Sequence, residues 1–303
     1  MYKIKLDNER TIGEGEPCFI IAEAGVNHDG DLEKAKKMVD VAREAKADVV
    51  KFQTFTGEKL ASKDAFLANY HKKGAVSEDE TLKQLLKRLE LNFDQHKELF
   101  NYAKNKGIAF MSTPFDEESA DFLVDLGVKA IKVASFSVTH LPLLKHIAEK
   151  NLPIILSTGL STIGEVEEAV KTIRESGNNK LALLHCTSHY PIEPKDSNLR
   201  VMNTLKQAFQ LPVGYSDHTT GIDVSLASVA MGDSILEKHF TLNQNAWGVD
   251  HDASISPEEL KKLVEGVRNI ESAFGNPINE IPNEEEEISN VHTVSIVSKV
   301  VIP

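Results

Sequence analysis

Two lysines, two histidines and a glutamate occupy positions from which one buried site can use them all. Lys51 and Lys132 each close a short apolar run, and hydroxyls at Thr113, Ser135, Ser157 and Ser216 stand at the ends of others. A doubly charged phosphate and a carboxylate need paired cations and donors when they leave water, so this set reads as an anion site. A lysine so placed can instead form an imine with a carbonyl substrate, or snorkel its amine to solvent. His218 and His239 end two further runs. Their imidazoles can share one divalent cation, with Glu23 binding it directly or through water. Two nitrogens with oxygen ligands suit Mn, Fe, Co or Zn and do not rank them. The alternative is a pair of ordinary histidines hydrogen-bonded to Asp217 and Glu237. His185, Cys186 and His189 also have ligand chemistry, but they alternate in face along one strand end, which favours a structural or substrate-orienting role.

What must position these residues is legible in the hydropathy pattern. Short apolar runs alternate with helix-like segments eight times, and a polar group closes each run. Glu23 follows 19–22, Lys51 and Gln53 end the second run, Ser112 and Thr113 follow 108–111, and Lys132 follows 128–131. Ser157 follows 153–156, His185 follows 181–184, Ser216 and His218 follow 212–215, and Glu237 and His239 follow 234–236. Eight strand-then-helix units predict an α/β chain folded as a (β/α)8 TIM barrel, with its active site at the C-terminal ends of the strands. Residues two apart share a face. Val49 thus goes with Lys51 and Gln53, Ile21 with Glu23, Leu183 with His185, Gly214 with Ser216 and His218, and Ile235 with Glu237 and His239. That face turns polar at its upper end, where a filled barrel otherwise carries Val, Ile or Ala.

Helices are predicted at 32–45, 93–106, 117–126, 141–150, 163–176, 198–209, 221–231 and 257–274, with Asp31 and Ser256-Pro257 among the start signals. Segments 3–6 and 11–12 flank a turn at Asp7 and Asn8, a short N-terminal hairpin able to plug the barrel bottom. The connection 54–91 is long and carries a helical stretch at 80–89, on the side where loops serve as lids or substrate walls. Residues 1–278 form the barrel domain. Residues 279–303 are an acidic linker, with a run at 284–287, and a short Val/Ile-rich tail.

Composition sets the bounds. A length of 303 residues suits one barrel with a small appendage, and a hydrophobic fraction of 41% still fills its core because barrel helices keep a wet outer face. A net charge of -12 argues against nucleic acid or an anionic membrane as partner. Cys18 and Cys186, on different strands, read as reduced thiols in a cytoplasmic protein, and no signal sequence or spanning segment is visible.

Seven ordered blocks then carry a resemblance. Ile20-Ile21-Ala22-Glu23-Ala24-Gly25-Val26-Asn27-His28, Val50-Lys51-Phe52-Gln53-Thr54, Ser112-Thr113-Pro114-Phe115, Ile155-Leu156-Ser157-Thr158-Gly159, Leu184-His185-Cys186-Thr187, Gly214-Tyr215-Ser216-Asp217-His218-Thr219 and Glu237-Lys238-His239-Phe240-Thr241 resemble the sialic acid synthase family, in order, from Phe19 to Phe274. The resemblance implies condensation of phosphoenolpyruvate with an N-acetylated hexose such as N-acetylmannosamine, giving a nine-carbon 2-keto acid and phosphate. By matched motif, Lys51, Thr113, Lys132, Ser135, Ser157 and Ser216 hold phosphoenolpyruvate, and His218 and His239 bind a divalent metal, usually Mn2+, with Mg2+ or Co2+ as substitutes. Glu23 handles water or a proton, Lys132, His218 and His239 complete the catalytic set, and Gln53, Tyr190 and Asp250 line the sugar. A homodimer is implied as well.

The chain departs from the family pattern in three places. Ser135-Phe136-Ser137 stands where an acidic residue follows Ser-Gly, so a hydroxyl replaces a carboxylate toward the sugar. Lys73-Gly74-Ala75 stands where an asparagine facing the sugar is sought. The C-terminal antifreeze-like domain is matched only at its start, around Ser295-Ile296-Val297. In 245–251, Asp250 is expected on the sugar, while Trp247 and His251 carry no assigned role.

Overall fold

The structure, a computed structural model, describes residues 2–6, 10–61, 74–75, 77 and 80–278, with residues 285, 288 and 299. The expected linker and tail at 279–303 lie outside the described residues save at those last three positions, as do the Asp7-Asn8 turn and Lys73.

A hairpin of β1 (Lys3–Lys5) and β2 (Thr11–Gly13), paired antiparallel, precedes the barrel. The barrel strands are β3 (Phe19–Gly25), β4 (Val49–Thr54), β5 (Ala109–Pro114), β6 (Ile131–Val133), β7 (Ile154–Ser157), β8 (Leu181–His185), β9 (Val213–Asp217) and β10 (Ile235–His239). They run parallel in the order β5-β4-β3-β10-β9-β8-β7-β6, and β5 packs beside β6 so that the ring nearly closes. This is a TIM barrel. Inward side chains Phe19, Ile21, Val49, Met111, Ile155, Leu184 and Ile235 fill its lower lumen, and Ile4, Leu6 and Ile12 of the hairpin join them, so the hairpin plugs the bottom. Outward side chains such as Ile20, Val50, Phe52 and Leu183 pack under the helices.

The helices are α1 (Leu32–Glu44), α2 (Gly57–Leu60), α3 (Leu82–Leu89), α4 (Phe93–Lys106), α5 (Glu117–Leu126), α6 (Leu141–Glu149), α7 (Ile163–Glu175), α8 (Val201–Phe209), α9 (Asp223–Ala230) and α10 (Pro257–Ala273). Reciprocal capping boxes start α3 (Thr81 with Gln84), α4 (Asn92 with Gln95), α7 (Thr162 with Glu165) and α10 (Ser256 with Glu259). Two helices begin later than their sequence pattern predicts. Asn198 and Gly221 adopt left-handed backbone, with φ of 45° and 71°, which no right-handed helix admits.

The sequence pattern also misplaces one side chain. His185 shares its face with Leu183, but that face is the outer one: Leu181 and Leu183 pack under the helices, while Ala182 and Leu184 point into the lumen. His185 Nε2 bonds the Ser197 carbonyl at 2.8 Å and its ring leans on Tyr215. A strand apolar on both faces gives the two-residue period nothing to choose between. Among the described residues, no helix is long and apolar enough to cross a membrane.

Candidate active site

Above the apolar plug the lumen turns charged. Lys51, from β4, lies 2.7 Å from Glu23 Oε2 and 3.5 Å from Glu237 Oε2, and its Nζ donates to Thr113 Oγ1 at 3.2 Å. Lys132, from β6, donates to Ser157 Oγ at 2.6 Å and to the Val133 carbonyl at 3.3 Å, with Glu237 Oε1 at 3.7 Å. Ser216 Oγ donates to the same Glu237 oxygen at 2.8 Å. Glu237 therefore sits between the two lysines. The sequence pattern puts Glu237 on the lumen face with His239, but not its place between two lysines from other strands.

Burial lifts Glu23 to about 7, against the pull of Lys51 and with the push of Glu237. Burial acts the same way on Glu237, but Lys132, Lys51 and the Ser216 hydroxyl outweigh it and hold this carboxyl below its usual range. Lys51 is pushed the other way: burial disfavours its charge, yet Glu23 and Glu237 hold it above the usual lysine range. Lys132 is lowered, chiefly by burial. The floor thus carries one firmly ionised carboxylate and one carboxyl able to hold or release a proton near neutral pH.

His218 and His239 face each other from neighbouring strands, ring centroids 5.7 Å apart. His218 Nδ1 meets the Thr187 carbonyl at 2.7 Å, so that nitrogen carries the proton and Nε2 presents a lone pair. Ser216 Oγ is 3.3 Å from Nε2, but its single proton goes to Glu237. His239 Nδ1 is buried without a hydrogen-bond partner, 3.8 Å from Asp250 Oδ2. Burial pushes His218 down to about 4 and His239 well below the histidine range, so both rings are neutral, the form that ligates metal. The donors fit a divalent cation as a pair of ligands. Among the described residues, no group of three or more His, Cys, Asp or Glu side chains is set to hold a metal, and Glu23 is engaged by Lys51 instead.

The remaining sequence-predicted residues converge here. Tyr190 stacks on His218 at 4.1 Å and meets His239 edge-on at 5.5 Å. Ser135 Oγ accepts from the Gly159 amide at 3.0 Å and lies 3.1 Å from Cys186 Sγ. Glu23, Lys51, Gln53, Thr113, Lys132, Ser135, Ser157, Tyr190, Ser216, His218, His239 and Asp250 all line one cavity of about 430 Å³. Burial raises Asp250 to about 6.

Ser137, expected to offer a hydroxyl to the sugar, is buried and does not line the cavity; Phe136 does. The 3-10 turn Ser135–Ser137 aims the middle residue at the opening and the third into the protein. Gly25 was also missed as a site residue. It sits at a register shift with φ of 53°, and a Cβ there would lie 3.4 Å from Glu23 Oε1, His239 Cε1 and Asp250 Oδ2. The rim residues left without a role are structural: His251 bonds Thr241 Oγ1 at 2.7 Å and lies 3.3 Å from Asp29, and the Trp247 indole donates to the Ala75 carbonyl at 3.2 Å.

One side of the cavity is apolar. Leu82, Leu85, Leu86 and Leu89 of α3 line it with Leu60, Val26, Phe115, Phe136, Leu160 and Val249. The 82, 85, 86, 89 spacing is one face of a helix, legible in sequence, although what it faces was not.

Residues 38–279 match the sequence profile of the NeuB family. The chain belongs to the NeuB family. It is 48% identical over 283 residues, 93% of this chain and 84% of the relative, to the N,N'-diacetyllegionaminic acid synthase of Campylobacter jejuni subsp. jejuni serotype O:2. Identity is again 48%, over 275 residues covering 89% of this chain and 77% of the relative, to the N,N'-diacetyllegionaminic acid synthase of Legionella pneumophila subsp. pneumophila. Among solved structures, the N-acetylneuraminic acid synthetase from Leptospira borgpetersenii serovar Hardjo-bovis, in complex with citrate, superposes with a TM-score of 0.84 over 95% of both chains at 35% identity. This NeuB-family chain is thus a sugar-acid synthase, as the resemblance read from its strand-end blocks implied.

Proposed function

We propose that this NeuB-family enzyme condenses phosphoenolpyruvate with an N-acetylated hexose of the mannosamine type to a nine-carbon 2-keto acid and inorganic phosphate. The observation that carries the reading is the floor: two buried lysines converge with Thr113, Ser157 and Ser216 in a cavity that also holds two neutral histidines, one of which, His239, has a buried nitrogen without a hydrogen-bond partner. A carboxylate and a phosphate ester entering this floor find Lys51 and Lys132 as cations and the hydroxyls, with Ser135, as donors.

His218 and His239 would hold a divalent metal, Mn2+ foremost with Mg2+ or Co2+ as substitutes. When bound it supplies Lewis-acid polarisation of the sugar aldehyde. The chain's own residues do the rest. Gln53, Tyr190 and Asp250 hold the open-chain sugar so that its aldehyde carbon faces C3 of phosphoenolpyruvate, and that orientation supplies much of the rate. The C3–C1 bond forms, water adds at C2, and the C2–O bond to phosphate breaks to leave the keto group. Glu23, poised near neutral pH, takes one proton from the water and returns it to the oxygen of the former aldehyde, and the second proton leaves with the phosphate. An imine on Lys51 would require a neutral amine, and Glu23 keeps that amine charged.

Phosphate release from phosphoenolpyruvate, with Mn2+ and a panel of N-acetylated hexoses, tests the reading. Sugar-dependent release is expected, together with loss on chelation and recovery on return of the metal. Release without sugar, or a borohydride-trapped lysine adduct with a keto substrate, overturns it.

A further inference from the structure

Most of the charged site residues stand on barrel strands and take their places from the strand ladder, but Asp250 does not. It precedes a single 3-10 turn, His251–Ala253, in the connection between β10 and α10. A side chain on such a connection keeps its place only where the backbone beneath it is fixed. Asp250 is buried, its Oδ2 lies 3.8 Å from His239 Nδ1, and a Cβ at Gly25 would lie 3.4 Å from the same oxygen. The carboxylate is therefore placed closely, and the cause has to be sought behind it.

Two buried polar residues supply it. Ser254 Oγ donates to the Asp250 carbonyl at 2.6 Å. Asn27 Nδ2, from the loop after β3, donates to Ser254 Oγ at 2.8 Å and to the Phe240 carbonyl at 2.8 Å. Both amide hydrogens and the hydroxyl proton are thus assigned, and the relay runs in one direction, from Asn27 through Ser254 to Asp250. Asn27 Oδ1 is left buried without a partner. Turning the amide round would set that oxygen against the Phe240 carbonyl, so the unpaired acceptor is tolerated for the sake of the two donations. Beyond the turn, the Ile255 amide donates to the His239 carbonyl at 2.9 Å, and the Thr241 amide to the Ile255 carbonyl at 3.0 Å. The turn that carries Asp250 is tied in this way both to β10, which holds His239, and to the loop that follows Glu23.

Neither Asn27 nor Ser254 lines the cavity. We infer that both are positioning residues, whose relay through the Asp250 carbonyl sets the Asp250 carboxylate against the acceptor sugar and beside His239. This rests on the synthase reading above, which gives Asp250 the sugar, and it adds how the site is held.

The test is calorimetry on the full chain with Mn2+ and phosphoenolpyruvate. Its probe is the reduced form of the N-acetylated hexose that supports phosphate release, which has no aldehyde to react. Asp250→Ala is expected to weaken that sugar by about 10-fold or more, the loss of a hydrogen bond to a charged group. Ser254→Ala should weaken it by about 10-fold through misplacement of the carboxylate, and Asn27→Asp, which keeps the shape but cannot donate, at least as far. Phosphoenolpyruvate affinity, measured without sugar, should stay unchanged in both variants, which a general loosening of the barrel would not allow. In the Asp250→Ala background, Ser254→Ala should add nothing, because its effect passes through that carboxylate. Unchanged sugar affinity in Ser254→Ala, an equal loss of phosphoenolpyruvate affinity, or an additive double variant overturns the positioning and leaves the synthase reading standing. Failure of the unaltered enzyme to bind phosphoenolpyruvate, or to release phosphate with any N-acetylated hexose, overturns that reading and this inference with it, so the unaltered enzyme tells the two failures apart.

Discussion

Glu237 and Lys238 are neighbours in sequence and belong to two buried charge clusters of opposite character. Lys238 points behind the strand, where Asp217 Oδ2 lies 3.0 Å from its Nζ, and the Thr219 carbonyl accepts from the same amine. The Thr219 amide and hydroxyl bond Asp217 Oδ1 at 2.8 Å each, and Ser225 Oγ donates to Oδ2. Both oxygens of that carboxylate are thus partnered, and neither Asp217 nor Lys238 lines the active-site cavity. Glu237 points into the lumen, where its Oε2, Glu23 Oε2 and His239 Nδ1 lack a well-formed hydrogen bond. Fully satisfied buried polar networks rigidify a core, whereas partly satisfied ones leave interaction capacity for a ligand. The cluster behind the strands reads as architecture. The one in the lumen reads as a site.

Exchanging the two kinds of residue should separate catalysis from stability. Lys132→Ala is expected to cut turnover by about 10³-fold, as loss of a preorganised charge does, with the unfolding midpoint held because Glu237 keeps Lys51 and Ser216. Stopped phosphate release beside thermal unfolding checks both, and retained turnover would remove Lys132 from the anion site. Asp217→Asn should do the reverse, lowering stability by about 3 kcal/mol because Lys238 is left buried and charged. Adding Lys238→Met should recover much of it in urea unfolding; if the double variant is no more stable than the single, the pair is not the origin of the loss.

Gly25→Ala touches both properties. Left-handed backbone costs about 1 kcal/mol once a Cβ is present, and relaxation of that strained backbone beside Glu23, His239 and Asp250 should lower kcat by about 10-fold. Equal loss in KM alone would mean that only binding is disturbed. The remaining effect is confined to acid pH and is set by a partnered residue outside the cavity. Burial pushes His28 down to about 3, with its Nδ1 accepting from the Gly30 amide at 3.0 Å. Below about pH 6.5 the unfolded chain protonates this histidine and the folded one does not, so the unfolded state binds more protons. Its contribution is complete above that pH and is lost toward pH 3, at a slope of up to about 1 kcal/mol per pH unit. Urea titrations of His28→Gln should show a shallower acid limb; an unchanged limb would place the titration elsewhere.

Most of the strand ends were legible because a barrel side chain is read from hydropathy at its own position and two positions away. Helix ends were legible to within a few residues, and erred at 198 and 221 where left-handed residues delay the start. The phase of β8 was not legible, since its two faces are equally apolar. Nor was the role of Glu237, because a carboxylate between two lysines is defined by strands distant in sequence.

The sequence by itself determined the barrel, its plugged bottom and the types of residue at its mouth, because each depends on local periodicity repeated along the chain. Only the tertiary structure decided which charges confront one another, which nitrogens are left without partners, and that a leucine face from the long connection walls one side of the cavity. Those facts depend on side chains from different strands meeting in a low-dielectric space, and no local pattern encodes that meeting.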